Sequence, residues 1–181
     1  MRAPNRVLAL ALLLAICAAP AAVALDSASV VSDIEKRGAK QVLARLAKSD
    51  ADWDGLLDGI SSGGRAWLRV ANRLLAVAED PEAYDLEAAV GEALAAAPAR
   101  VLEIADGGGE IQVSWVCDET TTFEEDPGLE ERIALLADRE DAVRSLRAPA
   151  FAAKRATCLK SLEKARTGLE RELSALTRKI G

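Results

Sequence analysis

The stretch from Trp53 to Ala78, WDGLLDGISSGGRAWLRVANRLLAVA, leaves the chain few ways to fold. Trp53, Leu56, Leu57 and Ile60 recur at spacings of three and four, which puts them on one face of a short helix. Trp67, Val70, Ala71, Leu74 and Ala78 repeat the pattern. Ser62, Gly63 and Gly64 break it between them, because a glycine inside a helix costs roughly 1 kcal/mol relative to alanine. The segment therefore predicts two helices folded back on each other. Moved along by 34 residues, the same pattern falls on Ala89 to Gly107. Leu56 lands on Val90, Ile60 on Leu94, Trp67 on Val101, Leu68 on Leu102, Val70 on Ile104 and Ala71 on Ala105, while Gly64 lands on Pro98. A period of this length marks stacked helix pairs, each burying on its neighbour a face it cannot bury alone. Such arrays need about three units, so the helices flanking residues 53–107 are expected to cap the stack.

The chain opens with a targeting pattern. Arg2 and Arg6 supply a positive region, Val7 to Cys17 is apolar throughout, and Ala22, Val23 and Ala24 form an A-x-A cleavage signal, so residues 1–24 read as a secretory signal peptide. The apolar run is shorter than the roughly 20 residues of a membrane span, and no later segment approaches that length. Ile16 stands where a lipid-attachment site before Cys17 places a small residue. A periplasmic or secreted protein, cut near Ala24 and with no transmembrane segment afterwards, is the expectation.

Residues 25–181 suit one domain. The leader holds two of the 23 basic residues and none of the 29 acidic ones, leaving a net charge of −8 beyond it. That balance speaks against nucleic acid and anionic lipid, and favours a protein partner of basic character or merely solubility. Abundant alanine, with aromatics at only 3%, favours helices packed through small side chains. Cys117 and Cys158 are the two cysteines outside the leader, and an even pair in an exported chain predicts a disulfide. Their separation does not fit CxxC redox chemistry.

From Asp26 to Lys48 a capping helix is expected, with Ser32 and Glu35 as its capping box and Val31, Ile34, Val42 and Leu46 as its buried stripe. A further helix is expected from Glu82 to Ala97, and the next from Pro98 to the glycines 107–109. Residues 108–128 form an acidic loop in which Ile111, Val113, Trp115 and Cys117 alternate as a short extended segment does. Its acids, Asp118, Glu119, Glu124, Glu125 and Asp126, lack the order of a calcium loop, and so stand as solvated charge or as a docking surface for a basic partner. Residues 129–181 read as an antiparallel helical hairpin. Leu129, Ile133, Leu136, Val143 and Leu146 form one seam, facing Leu159, Leu162, Leu169, Leu173, Leu176 and Ile180, with the turn near Pro149. Glu140 and Arg166 interrupt the seams. The expected fold is all-α: two hairpin repeats of solenoid type, an N-terminal cap and a C-terminal hairpin, joined by one disulfide.

The chain has no histidine, which removes the usual general base and the commonest metal ligand. Gly59–Gly63 matches G-x-S-x-G but ends a helix, and Ser161 with Lys164 matches S-x-x-K without its companion motifs. Asp54 and Asp58 share a helix face as an acid–base pair would, but nothing marks a cleft. No catalytic residue, cofactor or metal is expected. Arg65, Arg69 and Arg73, at i, i+4 and i+8 with Asn72 beside them, form a row suited to clamping a carboxylate or phosphate, or else a solvated face neutralised by Asp54 and Asp58.

Trp53, Leu57, Ile60, Gly63, Trp67, Leu68 and Ala71, followed by Cys117 and then by Arg155, Cys158 and Leu159, resemble a group of small exported bacterial all-helical proteins of unassigned activity. The resemblance implies a disulfide-linked periplasmic fold and no catalytic residue. In general character the chain is also similar to immunity proteins that neutralise cell-envelope toxins. The expectation is a non-enzymatic protein-binding module of immunity or inhibitor type. A carboxylate-dependent envelope hydrolase and a self-associating structural protein are the alternatives, and the oligomeric state is left open.

Overall fold

The computed structural model describes residues 25–118 and 128–180. The leader at 1–24, and with it the cleavage site, lies outside them, as do Glu119, Glu124, Glu125 and Asp126 of the acidic loop. The described residues are helical, without strands: α1 (Ser27–Arg37), α2 (Ala39–Leu46), α3 (Asp50–Ser61), α4 (Arg65–Leu75), α5 (Glu82–Ala96), α6 (Pro98–Ile104), α7 (Val113–Val116), α8 (Leu129–Ser145), a 3-10 turn (Pro149–Phe151) and α9 (Ala152–Ile180). No helix among them is long and apolar enough to cross a membrane.

The repeat register is the architecture. Helix α3 packs on α5 and α4 on α6, so equivalent members of the two hairpins lie side by side. Leu56 and Val90, Ile60 and Leu94, Leu68 and Leu102, and Ala71 and Ala105 are all fully buried. Each large aliphatic side chain so placed contributes roughly 1.5–3 kcal/mol relative to exposure. Ser49 caps α3 by accepting from the amide of Asp52 at 3.3 Å. The turn into α4 requires glycine twice over, since Gly63 has φ +67° and a Cβ there would lie 2.4 Å from that of Ala97. Gly59 is a notch of another kind: a Cβ on it would meet the Trp67 indole at 2.4 Å, so its bareness lets α4 close on α3.

Two stretches of the backbone differ from what the sequence predicts. Residues 26–48 are two helices in contact, not one, because the chain breaks at Gly38 with φ +84°. The cap is thus a third hairpin. Ser32 and Glu35 lie inside α1, which Asp26 caps by accepting from the amide of Ser29 at 3.1 Å. Residues 111–117 are not extended either, since Val113–Val116 is a helical turn. Their buried members include Val113 and Val116, three apart, which helical spacing allows as readily as alternation does.

The C-terminal hairpin closes the stack, with α8 against α5 and α6 and α9 against α8 and α7. Glu140 is nearly fully buried and accepts from Arg166 Nε at 2.8 Å and from Arg144 Nη2 at 3.2 Å, while Arg166 also meets Glu170. The two residues that interrupt the apolar seams are therefore each other's partners, and they lock the register of α8 against α9. Next to Glu140, Arg139 is 3% exposed, and its Nη1 has no hydrogen-bond partner among the described residues. Burial pulls its pKa down to about 10, against the opposing pull of Glu92. The fully buried side chains of α9 run from Cys158 to Leu169. Beyond them Leu173 is half-buried and Leu176 is 43% exposed.

Cys117, at the end of α7, is bonded to Cys158 of α9, closing a separation of 41 residues. In the loop-entropy account such a closure is worth about 4 kcal/mol. Replacing both cysteines by serine is expected to lower the urea midpoint by an amount equivalent to about 3–4 kcal/mol with the protein still helical. Gly59→Ala is expected to cost roughly 1–3 kcal/mol by overpacking against Trp67. Gly168→Ala, on an open face of α9 with nothing within 4 Å, should instead stabilise by roughly 0.5–1 kcal/mol in the same assay.

A candidate cationic groove between equivalent helices

The outer faces of α4 and α6 enclose a groove of about 300 Å³, lined by Arg65, Leu68, Arg69, Asn72, Arg100, Glu103, Ile104 and Gly107. The 34-residue repeat explains why it exists: two short helices run side by side with their apolar stripes turned inward, leaving Leu68 and Ile104 as a floor and the long polar side chains as walls.

The groove is bridged at one end. Arg65 Nη2 donates to Glu103 Oε2 at 2.7 Å, and Arg100 Nη1 donates to the Gly63 carbonyl at 3.2 Å, so both side chains span from one hairpin to the other. The Arg65–Glu103 pair is more than half exposed on both sides and contributes little to stability. The opposite end is closed by residues 107–111. Asn72 Oδ1 accepts from the amide of Ile111 at 3.0 Å, and Gly109 lies so close that a Cβ there would fall 1.8 Å from Asn72 Nδ2. The three glycines thus do more than stop α6, because the chain needs the absence of a side chain to pass over Asn72. Asp106, at φ +59°, ties this loop to the next helix, its Oδ1 accepting from the amide of Val113 at 3.1 Å.

Of the arginine row, Arg65 and Arg69 line the groove, while Arg73 turns away to pair with Glu35 of α1 at 3.8 Å. Asp54 and Asp58 are not its counter-charges, since the acids that meet the row come from α6 and α1. Neither Arg69 nor the neighbouring Asn72 Nδ2 has an ion-pair or hydrogen-bond partner among the described residues. Lys154 bears on the site from behind, donating to the Leu102 carbonyl at 2.8 Å and also to that of Ala105. These are the last carbonyls of α6, so the ammonium offsets the negative helix end that would otherwise face the groove. The net local charge is cationic in a chain that is acidic overall.

Asp118 lies apart, lining a separate hollow with Ser161 and Lys164 near the disulfide. Asp58, Asp85 and Glu92 line a hollow of only about 70 Å³ between α3 and α5. Two of the three are engaged, since Asp85 accepts from Trp53 Nε1 at 3.1 Å and Glu92 from Ser61 Oγ at 2.7 Å. Among the described residues no group of three Cys, Asp or Glu is placed to hold a metal ion. Sequence reasoning missed Arg100, Glu103, Ile104 and Gly107. The signal was available, because the shift that overlays the repeats places Arg69 on Glu103 and Val70 on Ile104.

The fold and site define a small all-α protein with one disulfide, organised as stacked hairpins around a cationic groove. No protein-family model matches the chain, and neither does any curated protein or solved structure.

Asn72→Ala leaves the buried amide of Ile111 without its acceptor, a loss expected to cost about 1–3 kcal/mol. Hydrogen exchange should show the Ile111 and Val113 amides opening faster while those of α3 and α5 keep their protection.

Proposed function

We propose that the chain is a non-enzymatic, exported protein-binding module, of immunity or inhibitor type, that receives an anionic group of its partner in the groove between α4 and α6. The observation that supports this reading most directly is Arg69, whose guanidinium has no counter-charge among the described residues and lines the groove with the apolar Leu68 and Ile104 and with Asn72, of whose amide only Oδ1 is engaged. Several other arginines are matched within the fold, Arg166 to Glu140, Arg45 to Asp33 at 3.1 Å and Arg73 to Glu35, while Arg139, whose Nη1 lacks a partner among the described residues, is buried and lines no part of the groove. A guanidinium left over in such a setting is suited to a carboxylate supplied from outside. The alternative of carboxylate catalysis draws less support, since of its pair, Asp54 and Asp58, Asp58 lines a hollow of only about 70 Å³.

The test is retention of a partner from an envelope extract by the protein lacking residues 1–24. A stoichiometric partner should be held by the wild type and by Arg73→Glu, which alters the same helix outside the groove, and lost with Arg69→Glu. No stoichiometric partner on the wild type, or equal retention by Arg69→Glu, would overturn the reading.

A further inference from the structure

Taking the groove as the binding site, we infer that the group it receives is the free C-terminal carboxylate of a protein chain ending in an apolar residue. Three observations lead there. The first is closure at both ends. Arg65–Glu103 and Arg100–Gly63 bridge α4 to α6 at one end, and the glycine loop held by Asn72 and Ile111 blocks the other. A peptide cannot run along a trough stopped at both ends, so it enters from the side and stops.

The second is size. A volume of about 300 Å³ is at the bottom of the range for ligand sites and holds the bulk of one large residue. Leu68 and Ile104 offer that residue an apolar floor.

The third is the count of donors against charges. Arg69 offers a two-pronged donor, and Asn72, one turn further on, adds an amide hydrogen. Asn72 must present Nδ2 as its free atom, because Oδ1 is fixed by the Ile111 amide. A singly charged, planar carboxylate satisfies this set. A phosphate group, carrying nearly two charges, would bring its second charge towards the Glu103 carboxylate on the facing α6 wall, where Arg65 is already engaged by Glu103. Capture of a terminal carboxylate beside a pocket for the last side chain is a known economy in peptide recognition, since one chain end supplies both the charge and the apolar anchor.

The experiment is calorimetric titration of the protein with three acetylated tripeptides: Ala-Ala-Leu with a free carboxylate, the same peptide as its C-terminal amide, and Ala-Glu-Leu amide, whose only carboxylate is a side chain. The free acid should bind saturably, and both amides at least about ten-fold more weakly, the loss that goes with one charge-assisted contact. Arg69→Gln should remove the preference for the free acid, and Arg69→Lys should restore part of it. Equal affinity for acid and amide would overturn the inference, as would displacement of the peptide by equimolar inorganic phosphate. Binding of the glutamate amide but not of the free acid would also overturn it, while leaving the groove as a site for anionic protein segments. Failure of all three peptides to bind overturns the terminal-carboxylate assignment. Only if Arg69→Glu also retains the partner does that failure extend to the reading on which the assignment rests.

Discussion

The structure depends on how its last helix is fastened. A short stack of hairpins leaves raw apolar surface at its ends, and one further helix must close it without the long interface of a large domain. Within five residues of α9, three anchors reach three different places. Lys154 takes the terminal carbonyls of α6, Arg155 takes the Leu146 carbonyl at the end of α8, and Cys158 is bonded to Cys117 after α7. Two of these satisfy backbone oxygens that a helix end leaves bare. The third restricts the unfolded chain. Once those residues are set, Leu162, Ala165 and Leu169 follow into the core by helical geometry alone.

How much of this could be read from the chain differs by element. Periodicity with a breaker at Gly63 was enough to place α3 and α4, and the 34-residue shift was enough to lay α5 and α6 on top of them, because burial of a stripe is a local pattern repeated. The break at Gly38 was less visible. The stripe of Val31, Ile34, Val42 and Leu46 continues through it in register, and only the backbone angle reveals the reversal. At 111–117 the segment was too short for period two to be told from period three. The groove is hidden in the sequence for a different reason: the arginine row has acids within reach on its own hairpin, whereas stacked repeats put the face of α4 against that of α6, so Arg65 finds Glu103. Charges on a repeat surface are partnered by the neighbouring unit.

The hairpin of α8 and α9 shows a polar pair used as a register device. An all-leucine seam tolerates slippage by a heptad, since each shifted pairing is again leucine on leucine. Glu140 opposite Arg166 does not, because any slip parts the buried carboxylate from its cross-helix cation and leaves it only Arg144 of its own helix. Arg139 beside it is held less well, with burial depressing its pKa and Glu92 only in part restoring it. The two neighbouring charges illustrate that burial is tolerated where a partner is built in and remains a strain on the cation where it is not.

The placement of the three indoles has a practical consequence. Trp53 reaches from the first hairpin to Asp85 in the second, Trp67 fills the notch at Gly59 between the two helices of one hairpin, and Trp115 donates to the Glu110 carbonyl beside the disulfide. Each therefore sits at a different kind of junction, and with only one tyrosine in the chain they dominate its near-ultraviolet optics. Intrinsic fluorescence, read one tryptophan at a time, distinguishes separation of the hairpins from opening of a hairpin and from release of the sulfur-bridged loop without any added label.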